Sequence, residues 1–131
     1  MATQKEHAVY NTFGDFISAK RREREITLSK MAETLDLSPG YYCDIEKGRS
    51  NPPDKETLIK LIETLRLSTG DIHTFYDLAG KARSEAPPDL PEYINANQYV
   101  RVALRLAKDK GCADDWRRFI DELESRPNTG G

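Results

Sequence analysis

Apolar residues recur along the chain at the three- and four-residue intervals of amphipathic helices, in short runs separated by capping and helix-breaking residues. Phe13, Phe16 and Ile17 share one face, extended by the stem of Lys20, and Thr12 with Asp15 makes a capping pair that opens this first helix. Leu28, Met31, Ala32 and Leu35 repeat the pattern behind Thr27, a second cap. Leu37, Tyr42 and Ile45 then belong to a shorter helix, with Ser38 as cap, Pro39 at the first position, where a missing N–H costs nothing, and Gly48 as a left-handed stop after Lys47. Asn51-Pro52-Pro53 interrupts anything helical, after which Leu58, Leu61, Ile62 and Leu65 predict a fourth helix from about Asp54 to Arg66. Ser68 with Asp71 caps a fifth, whose buried face is Ile72, Phe75, Tyr76 and Ala79. The stretch from Met1 to Asn11 is polar and expected to be loose, with Val9 and Tyr10 packing under the first helix.

The pattern changes over residues 84–91, where prolines and scattered charge predict a linker between a first domain at 1–83 and a helical extension at 92–126. Leu90, Tyr93 and Ile94 suggest a turn or more of helix. Val100, Ala103, Leu104 and Ala107, joined by Val102 and Leu106, make a broad apolar stripe on a helix ending near Gly111. Asp114 and Asp115 start a last helix with the face Trp116, Phe119, Ile120 and Leu123, and Arg126 stands near its end, where the helix dipole favours a cation. Two short helices cannot bury this much apolar surface against each other alone, so a further surface is expected. Residues 127–131 are expected to be disordered.

From Ile26 to Pro53 the chain resembles the helix-turn-helix of the lambda-repressor-like family, the XRE-type transcriptional regulators of bacteria and phages. Ala32 falls at the family's small position, where a methyl lets the next helix cross closely. Leu37 matches the apolar position after the turn, and Tyr42 and Ile45 match the buried positions of the recognition helix. Ile45-Glu46-Lys47-Gly48-Arg49-Ser50-Asn51-Pro52 matches the family's IExGxxxP ending. Two positions depart. Asp36 replaces the usual turn glycine, but Asp tolerates the left-handed conformation, and Leu28 replaces a glutamine that often bonds a phosphate.

The resemblance runs from about Phe13 to about Ala79, with the motif at about 27–47. It implies an all-α architecture: a five-helix lambda-repressor-like DNA-binding domain with a short helical C-terminal extension. It also implies that the Ser38–Lys47 helix enters the major groove and that Arg21 pairs with Glu46. The DNA-binding positions it implies are Arg21, Thr27, Ser29, Ser38, Pro39, Gly40, Tyr41, Cys43, Asp44, Lys47 and Arg49. Pro39 and Gly40 offer no side-chain hydrogen bond, so direct readout is expected from Tyr41, Cys43, Asp44 and Lys47, with DNA shape adding to it.

Charge sharpens the picture. Twenty Lys and Arg against 22 Asp and Glu leave a net charge of −2, which argues against a non-specific DNA coat. A phosphate-binding surface must then come from local clustering, expected at Lys20-Arg21-Arg22 with Arg24, Lys47 and Arg49. At 131 residues, 37% hydrophobic and 32% charged, the chain makes one or two small domains. It has no apolar run fit to cross a membrane and no signal peptide at Met1–Tyr10, so a cytoplasmic location is expected.

Cys43 and Cys112 lack metal-site spacing and offer at most one disulfide, and His7 and His73 have no metal-type partner in sequence. Without a Gly-rich phosphate loop, HExxH or GxSxG, the sequence reads as no enzyme, with no cofactor and no metal. The expected function is a sequence-specific regulator of double-stranded DNA, a homodimeric repressor on a two-fold operator. The alternative is a protein-interaction adaptor, such as an antitoxin that binds a partner protein through its C-terminal helices.

Overall fold

The computed structural model describes residues 10–127, which form eight helices and no strands. They divide after Pro91 into two compact units. The first contains α1 (Phe13–Glu23), α2 (Leu28–Leu35), α3 (Pro39–Glu46), α4 (Lys55–Leu65) and α5 (Thr69–Arg83). Val9, expected to pack under α1, and residues 128–131, expected to be disordered, lie outside the described residues. Tyr10 is half-buried and meets Phe16 edge-on, with ring centroids 5.1 Å apart.

Every helix of the first unit starts where a side-chain oxygen caps it. Thr12, Thr27, Ser38, Asp54 and Ser68 accept from the backbone N–H three residues on, at 3.0–3.2 Å, each satisfying one of the orphan donors of a helix start. The α2–α3 turn is made as the sequence suggests. Asp36 takes φ 59°, ψ 41°, its N–H donates to Glu33 O, and Leu37 N–H closes back on Ala32 O at 2.9 Å. Gly48, at φ 77°, supplies the left-handed residue just past α3.

The apolar faces converge on one core. Phe13, Phe16, Ile17, Met31, Ala32, Leu35, Tyr42, Ile45, Leu58, Leu61, Leu65, Phe75 and Ala79 are all 3% exposed or less. Phe75 is its hub, within 5.1 Å of Phe13 and 5.4 Å of Tyr76, centroid to centroid. Ile72 and Tyr76, expected on the buried face of α5, are only half-buried. α3 rests on both α1 and α2. A Cβ on Gly14 of α1 would stand 2.0 Å from Glu46 O, so only a glycine lets α1 and α3 approach this closely.

Past α5, Ser84 turns left-handed and Glu85 N–H donates to Gly80 O at 2.8 Å. Ala86 and Pro87 then lie against Gly80, and Arg83 donates to Pro52 O at 2.6 Å. The proline-rich stretch is therefore packed against α5 where it leaves it.

The second unit contains α6 (Pro91–Ala96), α7 (Gln98–Lys110) and α8 (Ala113–Glu124). Asn97 Oδ1 caps α7 by accepting from Tyr99 N–H at 3.0 Å, and Arg101 reaches back to Ile94 O at 2.9 Å. The last helix starts at Cys112, whose N–H donates to the Asp115 carboxylate at 2.9 Å. No residue of these helices is buried. Among the described residues no helix is long and apolar enough to cross a membrane.

Candidate nucleic-acid interface

The recognition-helix candidate is α3, a short helix with two unlike sides. Tyr42 and Ile45 are buried beneath it, at 0% and 2% exposure, and hold it to the core. Ser38, Pro39, Gly40 and Tyr41 stand exposed in its first turn, Cys43 and Asp44 are half-buried along its flank, and Lys47 is exposed at its end. A Cβ added at Gly40 would meet nothing within 4 Å, so this turn is open to an approaching surface. Thr27 and Ser29, at the start of α2, are exposed as well, although the Thr27 hydroxyl already caps its helix. Pro39 has no N–H, and the N–H groups of Lys30 and Tyr41 are taken by the Thr27 and Ser38 caps, so Leu28 and Ser29 at the start of α2 and Gly40 at the start of α3 are the first-turn N–H groups left for phosphate oxygens.

The expected basic cluster is not assembled as the sequence suggested, because most of its cations have other partners. Arg21 is 7% exposed and turned inward. Its Nε donates to Glu46 Oε2 at 2.7 Å, Nη2 to Glu46 Oε1 at 3.1 Å, and Nη1 to Ile26 O at 2.8 Å. The forked hydrogen bond to Glu46 holds this guanidinium above its ordinary pKa, and the geometry makes Arg21 a tie between α1 and α3 rather than a surface cation. The pairing of Arg21 with Glu46 is as the family resemblance implies.

Lys20 bonds Asp71 at 3.1 Å and lies 5.6 Å from the Phe16 ring centroid. Arg24 donates to Leu65 O at 2.9 Å and Arg66 O at 3.1 Å, closing the end of α4. Arg49 is exposed but shares an ion pair with Asp44, Nη1 to Oδ1 at 3.3 Å, while its backbone N–H donates to Asp44 O at 2.9 Å.

Arg22 and Lys47 remain. Both are exposed on the rim of an open cleft of about 420 Å³ between α1 and the end of α3, with Cys43, Leu28 and Ser18 in its wall and the Arg21–Glu46 pair beneath. Both belong to the cluster expected from the sequence, although the recognition-motif positions do not include Arg22. The signal was present: Phe13, Phe16 and Ile17 face inward, so Ser18 and Arg22, at i and i+4, share an outer face.

Tyr42 adds an internal feature that no sequence pattern announces. Among the described residues its buried hydroxyl has no hydrogen-bond partner of good geometry, although Glu46 and Arg21 lie near enough to act on it. Burial, reinforced by the Glu46 carboxylate, pushes its pKa well above the ordinary 10.0. A raised pKa contributes stability that is fully present below the unfolded value and is lost as pH climbs toward the folded one. The domain is therefore expected to weaken progressively above about pH 10. Tyr42→Phe, which has no proton to lose, should flatten this alkaline limb. Thermal melts of parent and variant from about pH 8 to about pH 11 measure it, and parallel curves would assign the loss to other groups.

Residues 17–72 match the profile of the Helix-turn-helix family. Over 41 residues the chain is 46% identical to the immunity repressor protein of Bacillus phage phi105. That match covers 31% of this chain and 28% of the phage protein. Among solved structures, the clp gene regulator ClgR from Corynebacterium glutamicum aligns at 24% identity and a TM-score of 0.44, over 76% of this chain and 92% of that one. A chain of a SinR protein/SinI protein complex aligns at 20% identity and a TM-score of 0.44, over 86% of this chain and 95% of that one.

Proposed function

Residues 17–72 belong to the lambda-repressor-like helix-turn-helix family, and on that premise we propose that the protein is a DNA-binding transcriptional regulator, a dimeric repressor reading a two-fold operator. The observation that carries this is the two-sided α3, whose buried Tyr42 and Ile45 hold an exposed first turn rigidly at the surface. In the proposed complex that turn enters the major groove, with Ser38, Pro39, Gly40 and Tyr41 nearest the bases. Cys43 and Asp44 face the groove wall. Thr27, Ser29, Lys47 and Arg49 flank the helix toward phosphates. Two such helices, about one helical turn of DNA apart, read a two-fold site.

The partners are double-stranded DNA and a second copy of the chain. The uncovered C-terminal helices also favour a second reading, in which they carry a protein partner and DNA binding is secondary. Genome-wide footprinting of the purified protein separates the two: discrete two-fold sites support the regulator, and none would sink it.

Arg49 supplies a finer test. Its pairing with Asp44 places an anion beside a candidate phosphate contact, so removing Arg49 both deletes a cation and uncovers a carboxylate. Arg49→Ala is expected to weaken binding to all sequences similarly and to reduce the log–log salt slope by about one unit. A titration from low to high salt measures it, and an unchanged slope removes Arg49 from the phosphate contacts.

A further inference from the structure

We propose that Arg83, the last residue of α5, positions the α3–α4 loop for its contact with the DNA backbone; this rests on the reading of Arg49 as a phosphate contact and names the residue that holds it in place. The loop, residues 48–53, leads directly out of the recognition-helix candidate. Its first half is tied to α3, because the N–H groups of Arg49 and Ser50 both donate to Asp44 O, at 2.9 and 3.2 Å. Its second half is tied elsewhere. Arg83 Nη2 donates to Pro52 O at 2.6 Å, from 31 residues further along the chain.

The composition of the loop carries this bond toward the DNA side. Pro52 and Pro53 are buried, and their rings lock φ, so this half of the loop has little backbone freedom with which to absorb a shift of its carbonyl. Ser50 and Asn51 alone separate Pro52 from Arg49. A displaced Pro52 carbonyl therefore displaces the backbone from which Arg49 extends.

Arg83 is itself held from behind. Ser84 takes φ 56°, and the N–H groups of Ser84 and Glu85 turn back to Lys81 O and Gly80 O, at 3.1 and 2.8 Å, an arrangement that closes a helix end. The chain then passes so near Gly80 that a Cβ there would stand 2.8 Å from Pro87 N. Pro88 shares the wall of a groove of about 170 Å³ with Pro52, Pro53, Leu58 and Arg83. The end of α5 and the stretch that folds back on it thus make a fixed support from which the guanidinium reaches the loop. Arg83 also lies outside residues 17–72, the part that matches the family profile, so this support is a feature of this chain beyond the motif.

The test is a double-mutant cycle in the full chain, read by fluorescence anisotropy on a fluorescein-labelled DNA duplex of mixed sequence, starting at low salt. Arg83→Met keeps an apolar stem and removes the donors. It is expected to weaken binding about threefold to tenfold, the range set by the net worth of one hydrogen bond, and to lower the log–log salt slope as Arg49→Ala does. In an Arg49→Ala background the same substitution should cost nothing further, because Arg83 acts through that side chain. Arg83→Lys, which can still donate to Pro52 O, should keep most of the parent's affinity. Lys81→Met removes a cation from the same helix and should bind as the parent does. Arg83 is exposed, so these variants are expected to fold, and thermal melts set a temperature at which all are compared folded.

An Arg83→Met protein that binds as the parent does, a loss repeated by Lys81→Met, or equal losses with and without Arg49 overturns the positioning role and leaves Arg49 as a phosphate contact. Arg49→Ala with the parent's affinity and salt slope, or a parent that binds no duplex, overturns the phosphate reading and this inference with it.

Discussion

Gly14→Ala is expected to destabilise the first unit by about 2 kcal/mol or more, the upper end of what overpacking a well-fitted contact entails. The added carbon would sit 2.0 Å from Glu46 O, 2.7 Å from the carbonyl carbon and 2.9 Å from Ile45 O, all of them backbone atoms. No side-chain rotation relieves such a contact, so α1 and the end of α3 must move apart. The better helix propensity of alanine offsets at most about 1 kcal/mol of the strain.

Because α3 is the helix that moves, operator affinity should fall with stability. Gly40→Ala is the matched control: it stands in open space at the start of α3, and is expected to raise stability by up to about 1 kcal/mol through the same propensity. Thermal melts of the two variants decide the matter. A Gly14→Ala protein melting with or above the parent would mean that α1 and α3 separate at little cost.

That contact also marks where the sequence stops being legible. Helix starts could be read because Thr12, Thr27, Ser38, Asp54 and Ser68 are local signals, each acting on a backbone group three residues away. The core was legible because burial follows helical period: each buried apolar residue of the core stands on a face the sequence placed inward, although Leu28, also placed there, is exposed and Leu37, Ile62, Ile72 and Tyr76 are only half-buried. The left-handed Asp36 and Gly48 follow from what those residue types tolerate.

Charges were another matter. Lys20, Arg21, Arg22 and Arg24 are adjacent in sequence and look like one basic patch, but a helix turns successive residues to different sides. One meets Asp71, one is sealed under Glu46, one stays at the surface, and one closes the end of α4. The pairing of a long cation depends on elements that arrive from far along the chain: Arg24 meets Leu65 and Arg66 forty-odd residues on. Gly14 is illegible for the same reason, since its role depends on the backbone of residues 45–46. In the second unit, period revealed the apolar stripes but not what covers them.

The electrostatic counterpart of the Gly14 contact lies a few residues away. Glu46→Ala is expected to destabilise the first unit by about 3–5 kcal/mol, because it strips a buried guanidinium of both its carboxylate bonds. The side chains of Arg21 and Glu46 are 8% and 7% exposed and meet in a two-point contact at 2.7 and 3.1 Å. Without Glu46, Arg21 keeps only its bond to Ile26 O, and too little water reaches it to replace the rest.

Glu46→Gln should lie between parent and alanine, since an amide retains an acceptor for one of the two donors but no charge. An exposed pair gives the contrast. Lys30 and Glu33, at 67% and 74% side-chain exposure, are expected to contribute less than about 1 kcal/mol when Glu33 is removed. Urea denaturation of the parent and the three variants gives the ranking. If Glu46→Ala unfolds with Glu33→Ala, the Arg21–Glu46 pair holds nothing together, and α3 is positioned by the Gly14 contact and its buried Tyr42 and Ile45 alone.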